Sequence, residues 1–173
     1  WHGGIDIVGR DSDRIRMPYY NGKKIKGKVV RARIVTNRAD KTWEWGWYVC
    51  VQLDSAQTPD AVNFLYFAHC EKLLVQAGQT VTSGDALAVM GNTGNAAGGY
   101  KHCHLEVRAT AGGTGLDPTA YAGCENAVGI YGAAAKLQTI TIGPVSQGDA
   151  DAVKALCDAR GLTAAGLYTS KWA

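Results

Sequence analysis

Three strand-like segments in the first half of the chain constrain its fold more than any other sequence feature. Between residues 24 and 69 the chain reads KIKGKVVRARIV, then WGWYVCVQL, then AVNFLYFAH. Each segment is rich in β-branched and aromatic residues and is bounded by turn-forming residues, as is typical of β-strands. The connections NRADKTWE and DSAQTPD are polar and predict loops. The sequence therefore predicts a mainly β body.

A cluster of tryptophans spans the start of the second segment and the residues just before it. Trp43, Trp45 and Trp47 recur at a period of two, which places them on one face of a predicted strand. We expect either a wall that stacks on a sugar or peptide beside a cleft, or a stripe packed into the core. The sequence leaves both alternatives open.

Length and charge exclude several classes of protein. At 173 residues, the chain is long enough for a domain that buries roughly 70% of the surface exposed when it is unfolded. Its formal net charge is +3, and its local cluster of cations, KKIKGK, predicts a solvated hairpin rather than a nucleic-acid patch. No apolar stretch reaches the 18 residues of a membrane span. We therefore expect no nucleic-acid partner and no transmembrane segment.

The cysteines define neither a disulfide framework nor a zinc-binding motif. Five are present, at positions 50, 70, 103, 124 and 157, without CxxC spacing. This number allows at most two disulfides, and the spacing does not match a zinc knuckle. The alternative is that they are small buried side chains.

The composition changes after residue 118 and indicates a second unit. We divide the chain into a domain at 1–122, a linker rich in small residues at 123–136 and an accessory unit at 137–173. In the accessory unit, LQTITIG and residues 164–169 predict strands, and Ser146 and Asp149 have the spacing of a helix capping box. A strand-helix-strand unit of this size cannot bury its helix unaided, so we expect it to dock or to form a homodimer.

The four histidines and one aspartate form a candidate site if the segments that carry them converge. His2 and Asp6 form His-x-x-x-Asp in WHGGIDIVG, His102 and His104 form His-x-His in KHCHLEVR, and His69 ends a predicted strand. Alternate side chains of a strand point to the same side, so His102 and His104 share one face. Imidazole and carboxylate groups are ligands that suit Zn²⁺.

A zinc site with three protein ligands has a position left for water. If His2, Asp6 and His104 hold the ion, zinc lowers the pKa of a bound water to roughly 7. His69 and His102 then remain for proton transfer or for stabilising a tetrahedral intermediate. No His-Glu-x-x-His sequence is present, so a helical zincin with a glutamate base is excluded.

Two features near the His-x-His pair are weaker indications of function. Glu106 falls on the same face as the pair, where it could orient an imidazole. The glycine-rich loop at 91–99 lacks the Lys-Ser/Thr ending of a P-loop, so we do not expect it to bind phosphate.

Four segments carry a family resemblance. They are WHGGIDI, LYFAHCEKLLVQAGQTVTSGDALAVMGNTG, KHCHLEV and LDPTAY, and they occur between residue 1 and about residue 122. In order and spacing they resemble the LytM/lysostaphin-type zinc metalloendopeptidases, which cut peptides of the bacterial cell wall. The resemblance implies an antiparallel β-sandwich-like domain with a groove over the metal. It also implies that His2, Asp6 and His104 bind one Zn²⁺ per chain and that His69 and His102 are catalytic.

The activity implied by this resemblance is that of a zinc-dependent endopeptidase acting on peptidoglycan. It would hydrolyse amide bonds in peptide stems or cross-bridges, outside the cell, at the wall or as part of a phage. The alternatives are a non-catalytic wall-binding or activator protein of the same fold, and a phage tail or lysis component. Because all five site residues are present, the non-catalytic alternative is disfavoured.

Two further expectations concern the ends of the chain. Residues 141–162 resemble, more weakly, the second half of a SPOR repeat, a module that recognises bare glycan strands. This resemblance implies wall targeting, or an accessory that docks or dimerises. The first motif opens at residue 1, from which we expect the chain to be a fragment or a processed product.

Overall fold

The chain divides into two units, residues 1–132 and 133–173. The computed structural model describes residues 3–55, 57–129, 131 and 145–159. The strands predicted at 137–143 and 164–169 lie outside the described residues, as does His2.

The described residues of the first unit form a mainly β domain, as predicted. The strands are β1 (Ile5–Ile7), β2 (Arg14–Arg16), β3 (Tyr19–Tyr20), β4 (Lys23–Lys24), β5 (Lys26–Arg33), β6 (Trp47–Leu53), β7 (Phe64–Leu73), β8 (Thr80–Thr82), β9 (Ala86–Met90), β10 (Cys103–Arg108) and β11 (Gly115–Leu116). A short helix, α1 (Thr119–Ala122), follows them.

Among the described residues, nine strands join in one antiparallel sheet, which confirms the predicted fold class. The order is β1-β10-β7-β6-β5-β8, with β11 paired to β10 and β9 paired to both β2 and β7. The remaining two strands, β3 and β4, form a hairpin whose turn residues Asn21 and Gly22 both have positive φ, as a type I′ turn requires. The four lysines predicted to form a solvated hairpin are all exposed, but only Lys23 and Lys24 lie in it, since Lys26 and Lys28 belong to β5.

Two apolar clusters cover the two faces of the central strands. Val49 and Leu65 belong to the larger core, whereas their neighbours Tyr48 and Tyr66 belong to a smaller cluster. Consecutive side chains of a strand point to opposite faces, so the two clusters lie on opposite sides of the sheet. Three of the five cysteines are buried, at positions 50, 70 and 103, and all five are free thiols.

The predicted tryptophan stripe is wrong. Trp43 and Trp45 lie in a 3-10 turn, and only Trp47 belongs to β6. Gly46 separates them with φ 62° and ψ −127°, a conformation open to glycine, so the chain turns where an unbroken strand was expected. Trp43 and Trp45 pack against the smaller cluster and Trp47 against the larger core, so the three side chains do not share a face.

In the second unit, the described residues form the helix α2 (Gln147–Ala159). Ser146 caps its first turn as the spacing predicted: the Asp149 backbone N–H donates to Ser146 Oγ at 3.2 Å. The Asp149 carboxylate accepts from the Ser146 hydroxyl at 2.6 Å rather than from the Ser146 backbone N–H of a full capping box. No helix in the described part of the chain is both long enough and apolar enough to cross a membrane.

Candidate active site

Strand β10 presents its polar residues to one side of the sheet. Leu105 and Val107 pack into the larger core, so alternation directs His104 and Glu106 to the opposite face. His102, one residue before β10, lies on this face too, with its Nε2 atom 3.8 Å from Asp6 Oδ1. The shared face predicted for the His-x-His pair is therefore observed.

Strand β1 brings the other motif to the same place. Asp6 lies directly opposite His104 in the β1–β10 register, and its Oδ1 is 2.8 Å from His104 Nδ1. The backbone of Gly4 packs closely against β10: a Cβ there would lie 2.2 Å from the Leu105 carbonyl oxygen. The glycine before Ile5 therefore permits the approach that carries Asp6 to His104.

Gly4→Ala is expected to destabilise the fold by about 1–3 kcal/mol and to displace Asp6 from His104, because the new methyl group would overlap a backbone carbonyl. The free energy of unfolding in guanidinium chloride measures the first effect. Gly112→Ala is the control, since an added Cβ there meets nothing within 4 Å. Equal unfolding free energies for the two variants would contradict the close packing of β1 on β10.

His69 reaches the site through a β-bulge in β7. Trp47 pairs with Cys70 and Val49 pairs with Phe67, so three steps along β7 match two along β6. His69 has φ 61°, in the left-handed region that residues with a side chain seldom adopt. Phe67 and Cys70 both pack into the larger core. The extra residue of the bulge thus turns His69 toward the face of the His-x-His pair.

Two backbone carbonyls orient His69 and His102. His69 Nδ1 lies 2.9 Å from the Thr93 carbonyl oxygen, and His102 Nδ1 lies 3.1 Å from that of Tyr100. Because a carbonyl can only accept, each Nδ1 carries a hydrogen and each Nε2 of a neutral ring keeps a lone pair. The two ring centroids are 4.8 Å apart. Burial lowers the pKa of His69, so this ring is neutral near pH 7.

His104 is held between two carboxylates. Its Nδ1 faces Asp6, and its Nε2 lies 3.0 Å from Glu106 Oε1. Arg108 Nε donates to the other oxygen of Glu106 at 2.7 Å. Burial alone would lower the pKa of His104, but the hydrogen bonds to Glu106 and Asp6 outweigh it, and the pKa is raised. The contact between Glu106 and an imidazole that the alternation suggested is present.

The donor atoms around His104 fit a cation. Since Nε2 donates its hydrogen to Glu106, a neutral ring turns the lone pair of Nδ1 toward Asp6 Oδ1. At 2.8 Å the two lone pairs repel unless a proton lies between them or a cation binds both atoms. An imidazole nitrogen and a carboxylate oxygen are both zinc ligands.

The described residues supply only part of the predicted ligand set. In residues 3–55, 57–129, 131 and 145–159, no group of three or more His, Cys, Asp and Glu side chains is placed to hold a metal ion. Asp6 and His104 are adjacent, and His2 is not among the described residues. The assignment of these three as ligands stays a prediction.

Three residues of the site escaped the sequence analysis. Arg108 follows Glu106 at the same period of two, so the alternation that singled out Glu106 also indicated it. Thr93 and Tyr100 act through their carbonyls, which no sequence pattern reports. The Thr93 hydroxyl also donates to the Cys70 carbonyl at 2.9 Å, which ties the glycine-rich loop to the bulge. The Tyr100 ring is 66% exposed and its centroid lies 5.0 Å from that of His102.

Comparison with known families identifies the domain that carries this site. The profile of Peptidase family M23 matches residues 2–118, more than half of the chain. The chain belongs to peptidase family M23. As a member of M23, it is placed among the peptide hydrolases. No curated protein gave a significant match.

Solved peptidase structures share the fold. The catalytic domain of the antimicrobial peptidase lysostaphin from Staphylococcus simulans aligns over 68% of this chain and 76% of that domain, with 21% identity and a TM-score of 0.50. The catalytic domain of the prophage-encoded M23 protein EnpA from Enterococcus faecalis has the same coverage, with 19% identity and a TM-score of 0.51. An M23 peptidase from Pseudomonas aeruginosa aligns over 71% of this chain but only 44% of its own, with 25% identity and a TM-score of 0.50.

Proposed function

We propose that this M23 domain is a zinc-dependent endopeptidase that hydrolyses amide bonds in the peptide stems or cross-bridges of bacterial peptidoglycan. The observation that carries the proposal is the convergence of His69, His102, His104 and Asp6 on one face of the sheet. Membership of M23 supports peptide hydrolysis, and the family is generally zinc-dependent. The structural likeness to an antimicrobial peptidase supports a bacterial target.

In this proposal, His2, Asp6 and His104 hold the zinc ion. Glu106 accepts the Nε2 hydrogen of His104, so Nδ1, the nitrogen that faces Asp6, is the atom that would bind the ion. When bound, the ion would supply Lewis-acid polarisation of the scissile carbonyl and of an attacking water.

His69 and His102 supply the proton transfers. Each is anchored through Nδ1 to a carbonyl, so Nε2 is the atom that can accept or donate a proton to substrate. A neutral imidazole can accept a proton as water attacks, and an imidazolium can return a proton to the leaving amine. Because the two rings are 4.8 Å apart, both steps can occur at one peptide bond.

The purified chain is expected to carry one zinc ion and to release new amino groups from purified peptidoglycan. EDTA should stop the release and added Zn²⁺ should restore it, because the ion takes part in the reaction. EDTA saturated beforehand with zinc is the control. Mass spectrometry of the released fragments identifies the bond that is cleaved.

Two outcomes would contradict the proposal. If the chain binds zinc but leaves peptidoglycan uncleaved, the result would favour a non-catalytic wall-binding protein. Hydrolysis that persists in a chain shown to be free of metal would exclude the zinc mechanism.

The substrate also sets where the enzyme works. An endopeptidase of peptidoglycan acts outside the cell, at the wall, or is carried by a phage. Homodimerisation through residues 137–173 and wall targeting by the SPOR-like segment stay predictions, since the described part of that unit is α2 and the two residues before it.

A further inference from the structure

Arg108 is held by a carboxylate and two aromatic rings. Its guanidinium carbon lies 4.8 Å from the ring centroid of Trp45 and 5.0 Å from that of Tyr66. Its Nε and Nη2 atoms both donate to Glu106 Oε2. Cation–π contacts and two hydrogen bonds therefore restrict the guanidinium together.

Trp45 and Tyr66, which we call the aromatic shelf, are themselves fixed in place. Their ring centroids are 4.8 Å apart, and Trp45 also meets the buried Tyr48 edge-on at 5.1 Å. The Tyr66 hydroxyl donates to the Ala111 carbonyl at 2.8 Å. The turn that removes Trp45 from β6 is what places its ring over this face of the sheet.

The two oxygens of Glu106 have separate partners. Oε1 accepts from His104, whereas Oε2 accepts from Arg108. Glu106 is only 6% exposed, so its charge needs a compensating cation to remain in this position. Without Arg108, the buried carboxylate would lose the cation that holds it in place and would turn toward solvent, which would release the imidazole.

We propose that the aromatic shelf is a positioning device for His104 as a metal ligand. The shelf holds Arg108, Arg108 holds Glu106, and Glu106 holds the imidazole with Nδ1 toward Asp6. This inference rests on the proposed function, because it takes His104 to be a zinc ligand. It assigns a role to the tryptophan-rich segment, which supplies none of the proposed zinc ligands or catalytic histidines.

Trp45→Leu is expected to weaken zinc binding by roughly 10-fold, at the low end of the 10–100-fold that loss of an outer-shell partner costs. The zinc dissociation constant of the full chain is measured by competition with a chromophoric chelator. The matched control is Trp43→Leu. Trp43 lies in the same turn, but its ring stacks with the guanidinium of Arg38, at 4.8 Å, whereas the ring of Trp45 stacks with that of Arg108. Replacement of Trp43 is expected to leave the dissociation constant unchanged.

A double-mutant cycle tests whether the shelf acts through Glu106. Glu106→Gln breaks the ion pair with Arg108, so adding Trp45→Leu to it should weaken zinc binding no further. Arg108→Lys is a milder second variant, since it keeps the charge but loses the planar group that stacks on the rings. It should weaken zinc binding while the zinc-free protein still unfolds in one cooperative transition, which shows that the fold is kept.

The outcomes separate the two proposals. A wild-type chain that binds no zinc would refute the proposed function and the inference together. If the wild-type chain binds zinc, two results would refute only the role of the aromatic shelf. One is equal zinc affinity in the Trp45 and Trp43 variants, and the other is additive losses of affinity in the double-mutant cycle.

Discussion

His102→Ala is expected to lower kcat/KM for peptidoglycan hydrolysis by roughly 10²–10⁴-fold while zinc remains bound. The physical reason is that His102 is anchored through Nδ1 to the Tyr100 carbonyl and presents Nε2 to the site. Its Nε2 lies 3.8 Å from Asp6, whereas His104 lies 2.8 Å from the same oxygen. The variant should therefore lose a proton-transfer group and keep the metal. Initial rates of amino-group release and the zinc content of the same sample measure both effects.

The neighbouring residue provides a matched control. Lys101→Ala removes an exposed ion pair with Glu71, an interaction worth about 0–1 kcal/mol, and should leave the rate unchanged. Loss of zinc from His102→Ala would make His102 a ligand. An unchanged rate would show that it takes no part in proton transfer.

Asp6→Asn is expected to reduce zinc affinity by more than about 100-fold, since loss of an outer-shell partner alone costs about 10–100-fold. The substitution keeps the size of the side chain but removes its charge, and the new amide can donate a hydrogen to His104 Nδ1 without a metal. Hydrolysis should be lost together with zinc. Isothermal titration with Zn²⁺ and the peptidoglycan assay measure these effects.

Asp11→Asn is the control for the loss of one negative charge. Asp11 is exposed on the segment after β1, and its replacement should change neither zinc affinity nor rate. If Asp6→Asn kept full zinc occupancy, the ligand would have to be another group, and the role proposed for Asp6 would be wrong.

The site residues were accessible to sequence reasoning where the signal was local. The period of two in KHCHLEVR placed His102, His104 and Glu106 on one face, because alternation along a strand does not depend on the rest of the fold. The helix cap at Ser146 and the exposed lysines were also local signals. The meeting of Asp6 with His104 required the family resemblance, since nothing in the two segments themselves specifies that β1 pairs with β10.

The tryptophan segment shows where local reasoning failed. Its period of two predicted a strand, but Gly46 adopts a conformation closed to other residues and packs against Gly94, so the chain turns there. The outcome depends on the glycine-rich loop, which lies more than forty residues away in the sequence. A pattern read within one segment does not contain that contact.

The amino-acid sequence by itself determined the mainly β class, the side of β10 that carries the polar residues, and the set of side chains able to bind a metal. Only the tertiary structure decided that a bulge turns His69 toward this set, that two loop carbonyls orient His69 and His102, and that Trp45 stacks on Arg108. The first group follows from residue type and strand periodicity, which are local properties of the chain. The second depends on contacts between segments distant in sequence, whose geometry is set by the packing of the whole sheet.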